Sequence, residues 1–175
     1  DPTNVDTTKI SRGNVDPTNV YTTKISRGNV NLSIDYPGAG GNSTFNILYT
    51  TSVPISAYQL YFDGVYIDYV YGGNAWGHCW TQEVSDGGSN AGHLIMGYEF
   101  QGCYGPDQQQ GTPDDIPATD IPAGSGVLAT VSFSSGGDNI CWGYGNWHHV
   151  IADENGDYLT DRSFTGYGDC GTEPT

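Results

Sequence analysis

The sequence predicts an all-β protein, a two-sheet sandwich preceded by an extended N-terminal arm. Composition is the first observation: 26 Gly and 13 Tyr stand beside a single Met, and the helix formers Ala, Leu, Lys and Glu are scarce. Short runs in which apolar and polar residues alternate are the second, because a period of two marks a half-buried strand. The third is punctuation, since clusters of Gly, Asn, Asp and Pro separate those runs at short intervals.

The arm is one fifteen-residue segment written twice, DPTNVDTTKISRGNV and DPTNVYTTKISRGNV, over residues 1–30. In each copy a β-branched run lies between Asp-Pro and Gly-Asn, so residues 5–11 and 20–26 read as strands between turns. A disordered linker is the competing reading, because each copy has few apolar side chains to bury. Residues 31–175 make one domain-sized body. Residues 44–50 alternate Phe45, Ile47 and Tyr49 against Asn46, Leu48 and Thr50. Residues 53–62, Asp63-Gly64 and residues 65–71 then read as a hairpin, Asp-Gly being a favoured two-residue turn. A Gly-, Asn- and Ser-rich loop over 72–92 precedes a strand over 94–100 with Leu94, Met96, Tyr98 and Phe100 on one face. Residues 104–125, carrying Asp107, Asp114, Asp115 and Asp120, are an acidic surface loop, and residues 127–133, 140–151 and 158–164 complete the strands. That many short strands with irregular connections pack as two sheets.

Charge is divided unevenly. Residues 1–30 hold Lys9, Arg12, Lys24 and Arg27 against three Asp, a net +1, whereas residues 31–175 hold seventeen Asp or Glu against Arg162 alone, a net −16. An acidic body repels phosphate, which argues against nucleic acid, and it attracts cations and basic segments, including the arm of another copy. No apolar run is long enough to span a bilayer, and no stretch reads as a signal peptide, so the chain reads as mature. Cys79, Cys103, Cys141 and Cys170 are even in number and lack the close pairs of zinc sites. Two disulfides are expected, Cys79 with Cys103 and Cys141 with Cys170; the sequence leaves the other pairings open. Disulfides imply an oxidising, extracellular or cell-surface setting, where the sequons at Asn31 and Asn42 would accept covalent glycans.

Chemistry-bearing motifs are few. No GxSxG, HExxH or Walker loop occurs, so the chain is not expected to be an enzyme. Asp153, Asn155 and Asp157, with Asp161 nearby, group hard oxygen donors around Gly156 as Ca²⁺ loops do; a solvated Asn-Gly turn explains the same residues equally well. Trp76, Trp80, Trp142 and Trp147 lie in Gly-rich segments and are candidates to stack on sugar rings, although Trp more commonly fills a core.

Several runs carry a resemblance. Ile55-Ser56-Ala57-Tyr58-Gln59-Leu60, Ile121-Pro122-Ala123-Gly124 leading into residues 125–133, Ile140-Cys141, Val150-Ile151-Ala152-Asp153-Glu154-Asn155-Gly156 and Gly168-Asp169-Cys170 resemble cohesin-like domains of secreted microbial proteins over residues 45–170. The resemblance implies a nine-stranded jelly-roll sandwich, shared with several carbohydrate-binding modules, and extracellular association without catalysis. Residues 142–149 are an insertion against that pattern, and the arm has no counterpart in it.

These readings give an extracellular structural or adhesive protein that binds copies of itself head-to-tail, building a fibre or surface assembly by strand addition. Val20, Tyr21, Thr23, Lys24, Ile25 and Arg27 are the expected assembly residues, with Tyr21 and Ile25 on the buried side and Lys24 and Arg27 meeting acidic groups. The alternative is a carbohydrate-binding module that takes polysaccharide on its loop aromatics.

Overall fold

The computed structural model describes residues 25–38, 43–143 and 149–167. Eight strands dominate it: β1 (Ile25–Asp35), β2 (Thr44–Thr51), β3 (Ile55–Tyr71), β4 (Thr81–Val84), β5 (Leu94–Tyr98), β6 (Gly124–Trp142), β7 (Val150–Asp153) and β8 (Tyr158–Gly166). One short helix, α1 (Gly73–Gly77), links β3 to β4. The all-β expectation holds. In place of two separate sheets, one sheet of order β4-β5-β3-β6-β2-β1-β8-β7 closes through β3–β7 pairing into a six-stranded barrel, with β5 and β4 added outside the ring. Closure depends on contacts far apart in sequence, such as Tyr58 opposite Ile151, which no local pattern announces.

Period-two alternation sets what faces the core. In β2 it buries Phe45, Ile47 and Tyr49, as their spacing predicts. In β1 it buries Ser26, Gly28, Val30, Leu32 and Ile34. The largest fully buried side chains include seven isoleucines, whose branched Cβ suits a pleated wall. Phe62 sits 5.4 Å from Phe45 and 4.8 Å from Trp142 between ring centroids, and Trp142 sits 5.0 Å from Phe164, so an aromatic chain crosses the interior.

Two turn expectations fail, each for a physical reason. Asp63-Gly64 is not a hairpin turn but lies inside the seventeen-residue β3, where the register on β6 shifts between Asp63 and Val65 because β6 carries the extra residues. A two-residue type I′ turn needs positive φ at both central residues, and here Gly64 alone has it, at 78°. A Cβ on Gly64 would lie 2.1 Å from the Asn139 carbonyl oxygen, so the position is reserved for glycine by β6, not by a turn. Likewise Gly28-Asn29 lies within β1: a Cβ on Gly28 would meet Val53 Cγ2 at 2.4 Å. A boundary drawn between residues 30 and 31 therefore cuts β1, and Val30, at 0% exposure, belongs to the core.

Other edges moved too. β5 ends at Tyr98, and Phe100 is exposed. Residues 124–142 form one long strand instead of two. Residues 72–92 contain α1 and β4, and residues 104–120 remain a loop, tied by the bridge between Cys103 and Ile116.

Candidate functional site

Among the described residues, every strand except β4 has partners on both sides. The Ser85 amide donates to the Leu94 carbonyl at 2.9 Å. Ladder bonds therefore fall on residues 81, 83 and 85, and the amides of Gln82 and Val84 turn away from β5. This outward edge is the place where a further strand can pair. Glu83 and Asp86 are exposed on it, the Tyr98 hydroxyl donates to the Glu83 carboxylate, and the Tyr58 hydroxyl donates to Gln82 Oε1 at 2.7 Å, strapping β4 to the ring.

Of the expected assembly residues, Val20, Tyr21, Thr23 and Lys24 lie outside the described residues. Ile25 and Arg27 are on β1, which pairs in parallel with β8 of the same chain, Ile25 opposite Tyr158 and Ser26 opposite Leu159. The buried side is the reverse of the expected one: Ile25 is 55% exposed and Ser26 is buried. Val30, Leu32 and Ile34 set the parity of β1, and the parity carries Ser26 inward and Ile25 out.

The loop beyond β5 is built from crosslinks and polar bonds. Cys79 and Cys103 form the expected disulfide, and none of the described cysteines is free. Cys141 is disulfide-bonded; Cys170, its expected partner, lies outside the described residues. The Trp80 indole donates to the Thr119 carbonyl at 2.7 Å, and the Thr119 amide donates to the His78 carbonyl at 3.1 Å. Burial pushes the Glu99 carboxyl up to about 7, with Asp120 adding a hydrogen bond and a like charge. Its Oε2 atom is buried without a hydrogen-bond partner.

Of the expected Ca²⁺ residues Asp153, Asn155, Asp157 and Asp161, one has a role in the turn itself. Asp153 is buried, and its Oδ1 accepts the amides of Asn155 and Asp157, each at 2.9 Å, which makes it the organiser of the β7–β8 turn. Among the described residues, the acidic groups whose ligand atoms lie within 4.8 Å of one another are instead Asp107, Asp114 and Asp115. Their oxygens accept the amides of Gly105, Asp107 and Gly111 and, at 2.6 Å, the Thr112 hydroxyl on Asp114. The Thr112 bond, then the Asp107 amide, holds the Asp114 carboxyl below its ordinary range. These are the oxygen donors Ca²⁺ takes, with part of their capacity already used by the loop. Their spacing in the sequence signals only an acidic loop.

Trp80 and Trp142 are buried, so neither is a sugar platform; their indoles donate to the carbonyls of Thr119 and Thr165. Trp76 is 67% exposed, and Trp147 lies outside the described residues. Tyr69 and Tyr71, exposed on β3 with ring centroids 5.9 Å apart, are aromatic surface that the hairpin reading obscured. Asn31 is exposed on the outer face of β1 beside an open groove of about 420 Å³ that also involves Leu48, Thr50, Ser125 and Thr165; Asn42 lies outside the described residues. Among the described residues no helix is long and apolar enough to cross a membrane.

No family model, no curated protein and no solved structure matches this chain.

Proposed function

We propose that this chain is an extracellular structural protein that assembles head-to-tail, the first repeat copy of one molecule adding as a strand to the β4 edge of the next. The fate of the second copy carries the reading. Its residues 25–30 already serve as the first half of a strand, and the same six residues stand fifteen positions upstream. Main-chain pairing does not depend on a particular partner sequence, so a segment able to pair with β8 is able to pair with an open edge. Ser26 sits inside its own barrel, which leaves the first copy, residues 5–15, and not residues 20–26, as the donor. Lys9 and Arg12 would then meet Glu83 and Asp86.

The reading treats the barrel as a cohesin-like jelly roll. Divided at Gly64, β3 gives nine strand segments, one group ordered β4-β5-β3-β7 and the other β3-β6-β2-β1-β8. Oxidised cysteines fit an extracellular setting, and Asn31 is exposed on β1, where a glycan would stand in solvent. Sedimentation velocity of the full chain and of a chain lacking residues 1–15, which spares β1, tests the proposal. The full chain is expected to assemble with rising concentration and the shortened one to stay monomeric; identical behaviour contradicts it.

The exposed Trp76 favours a second reading, a carbohydrate-binding module. Retention on insoluble polysaccharide that Trp76→Ala abolishes would establish it, and absence of retention would remove it.

A further inference from the structure

The duplication bears on the barrel itself. Residues 7–15 and 22–30 are the same nine residues, TTKISRGNV, and the second set runs into β1. The place that residues 25–30 occupy is closely fitted. Val30 is fully buried, and Gly28 leaves no room for a Cβ against Val53. The Ser52 amide donates to the Asn29 carbonyl at 3.0 Å, and the Asn29 amide donates to Ser52 Oγ at 2.9 Å. Asn29 and Val30 lie opposite Asp161 and Arg162 of β8. Residues 10–15 bring Ser11, Gly13, Asn14 and Val15 at the same spacing, so each of these contacts has a second supplier in the chain.

The second half of β1 has no such duplicate. Leu32 and Ile34 are buried, and a slide of the whole strand by fifteen positions would put Pro17 and Asn19 in their places. Pro17 would remove a ladder donor and Asn19 would bury an amide. An exchange must therefore stop at Val30, with residues 31–35 fixed and residues 16–30 displaced as a loop whose ends are adjacent in the strand.

We propose that the place between β8 and the end of β2 accepts either of two segments of the same molecule, residues 25–30 or residues 10–15, so that β1 has two registers that share its second half. Both bring the same side chains to the place, and they differ by a break in the ladder where residues 15 and 31 meet unbonded and by the closure of a fifteen-residue loop, a cost that grows only logarithmically with length. Residues 25–30 are the favoured occupant, and residues 10–15 take over when the second copy is damaged. The inference does not depend on assembly. It does bear on it, because a first copy seated in its own barrel cannot reach a neighbour's edge.

Thermal melting of the full-length variants Val15→Asp, Val30→Asp and the double variant, with sedimentation run alongside, tests this. Val15→Asp is expected to leave the melting temperature unchanged. Val30→Asp should melt below the parent but about 5–10 °C above the double variant, a non-additivity that a shared place requires, and it should remain monomeric. Gly28→Val with and without Gly13→Val repeats the comparison with a milder lesion should both Val30 variants fail to fold. Equal melting of single and double variants in the Gly pair, or in the Val pair when both fold, overturns the proposal. So does rescue that appears only as a concentration-dependent dimer, since the occupant would then come from a second molecule.

Discussion

In the six-stranded ring, Phe45, Phe62 and Trp142 pack in series through a core of fully buried aliphatic side chains, and each ring strand is paired on both sides. Beyond β5 the means differ: β4 has one neighbour, and the loop after β5 is tied by a disulfide, an indole bond and carboxylates that cap amides. Burial of apolar area holds the ring, at about 1.5–3 kcal/mol for each large side chain. Covalent and polar ties add to burial in the annexe, where Trp80 and Ile95 join the ring's core and Val84 and Ala118 pack against it. The contrast teaches where this protein can interact, since a region without its own core keeps its edges and charges on the outside.

The largest effect is expected in the ring. Phe62→Ala should cost about 3–5 kcal/mol through the cavity it leaves among Phe45 and Trp142, and denaturant melts should show the whole chain losing stability together. Loss confined to β4 and β5 would contradict the comparison. Removing the annexe's crosslink is expected to cost less: Cys79→Ser with Cys103→Ser gives up about 3 kcal/mol of loop restraint. Limited proteolysis should then cut within residues 99–120 first while the ring persists. If cleavage begins in β1 or β2 instead, the disulfide supports the ring as well.

Asp153→Ala tests a polar tie inside the ring, with an expected loss of about 1–2 kcal/mol from the two amides left without their acceptor. The smallest effect belongs to Glu99. Its folded-state value of about 7 lies above the ordinary 4.5, so the folded chain binds more protons than the unfolded one between those pH values. Its contribution is complete below about pH 4.5 and is lost as pH rises through about 7. Glu99→Gln should flatten that decline and, with solvent screening allowed for, gain about 1 kcal/mol at pH 8. A parent chain equally stable at pH 4.5 and pH 8, relative to the variant, would contradict the assignment.

What the sequence made legible was local. The alternation of Phe45, Ile47 and Tyr49 depends only on the pleat, and the structure buries all three. Gly64 and Gly28 were misread as turn signals because their role is set by Asn139 and Val53, remote atoms that pass too close for a Cβ. Barrel closure was hidden for the same reason, Tyr58 and Ile151 being ninety-three positions apart. In the candidate sites, the expected disulfide between Cys79 and Cys103 formed. Asp153 Oδ1 accepts two turn amides, a role the sequence does not single out, because clustered carboxylates look alike in sequence whether they face a cation or an amide.

Head-to-tail assembly through β4 makes a demand that one mixing experiment meets. A chain lacking residues 1–15 keeps its edge and loses its donor, whereas Val84→Pro removes an outward amide from β4 and leaves the arm intact, proline being tolerated on edge strands. Sedimentation velocity of each alone should show monomer, and an equimolar mixture should show a dimer that grows no further. Assembly of either variant alone, or a mixture that stays monomeric at concentrations where the parent assembles, contradicts the account.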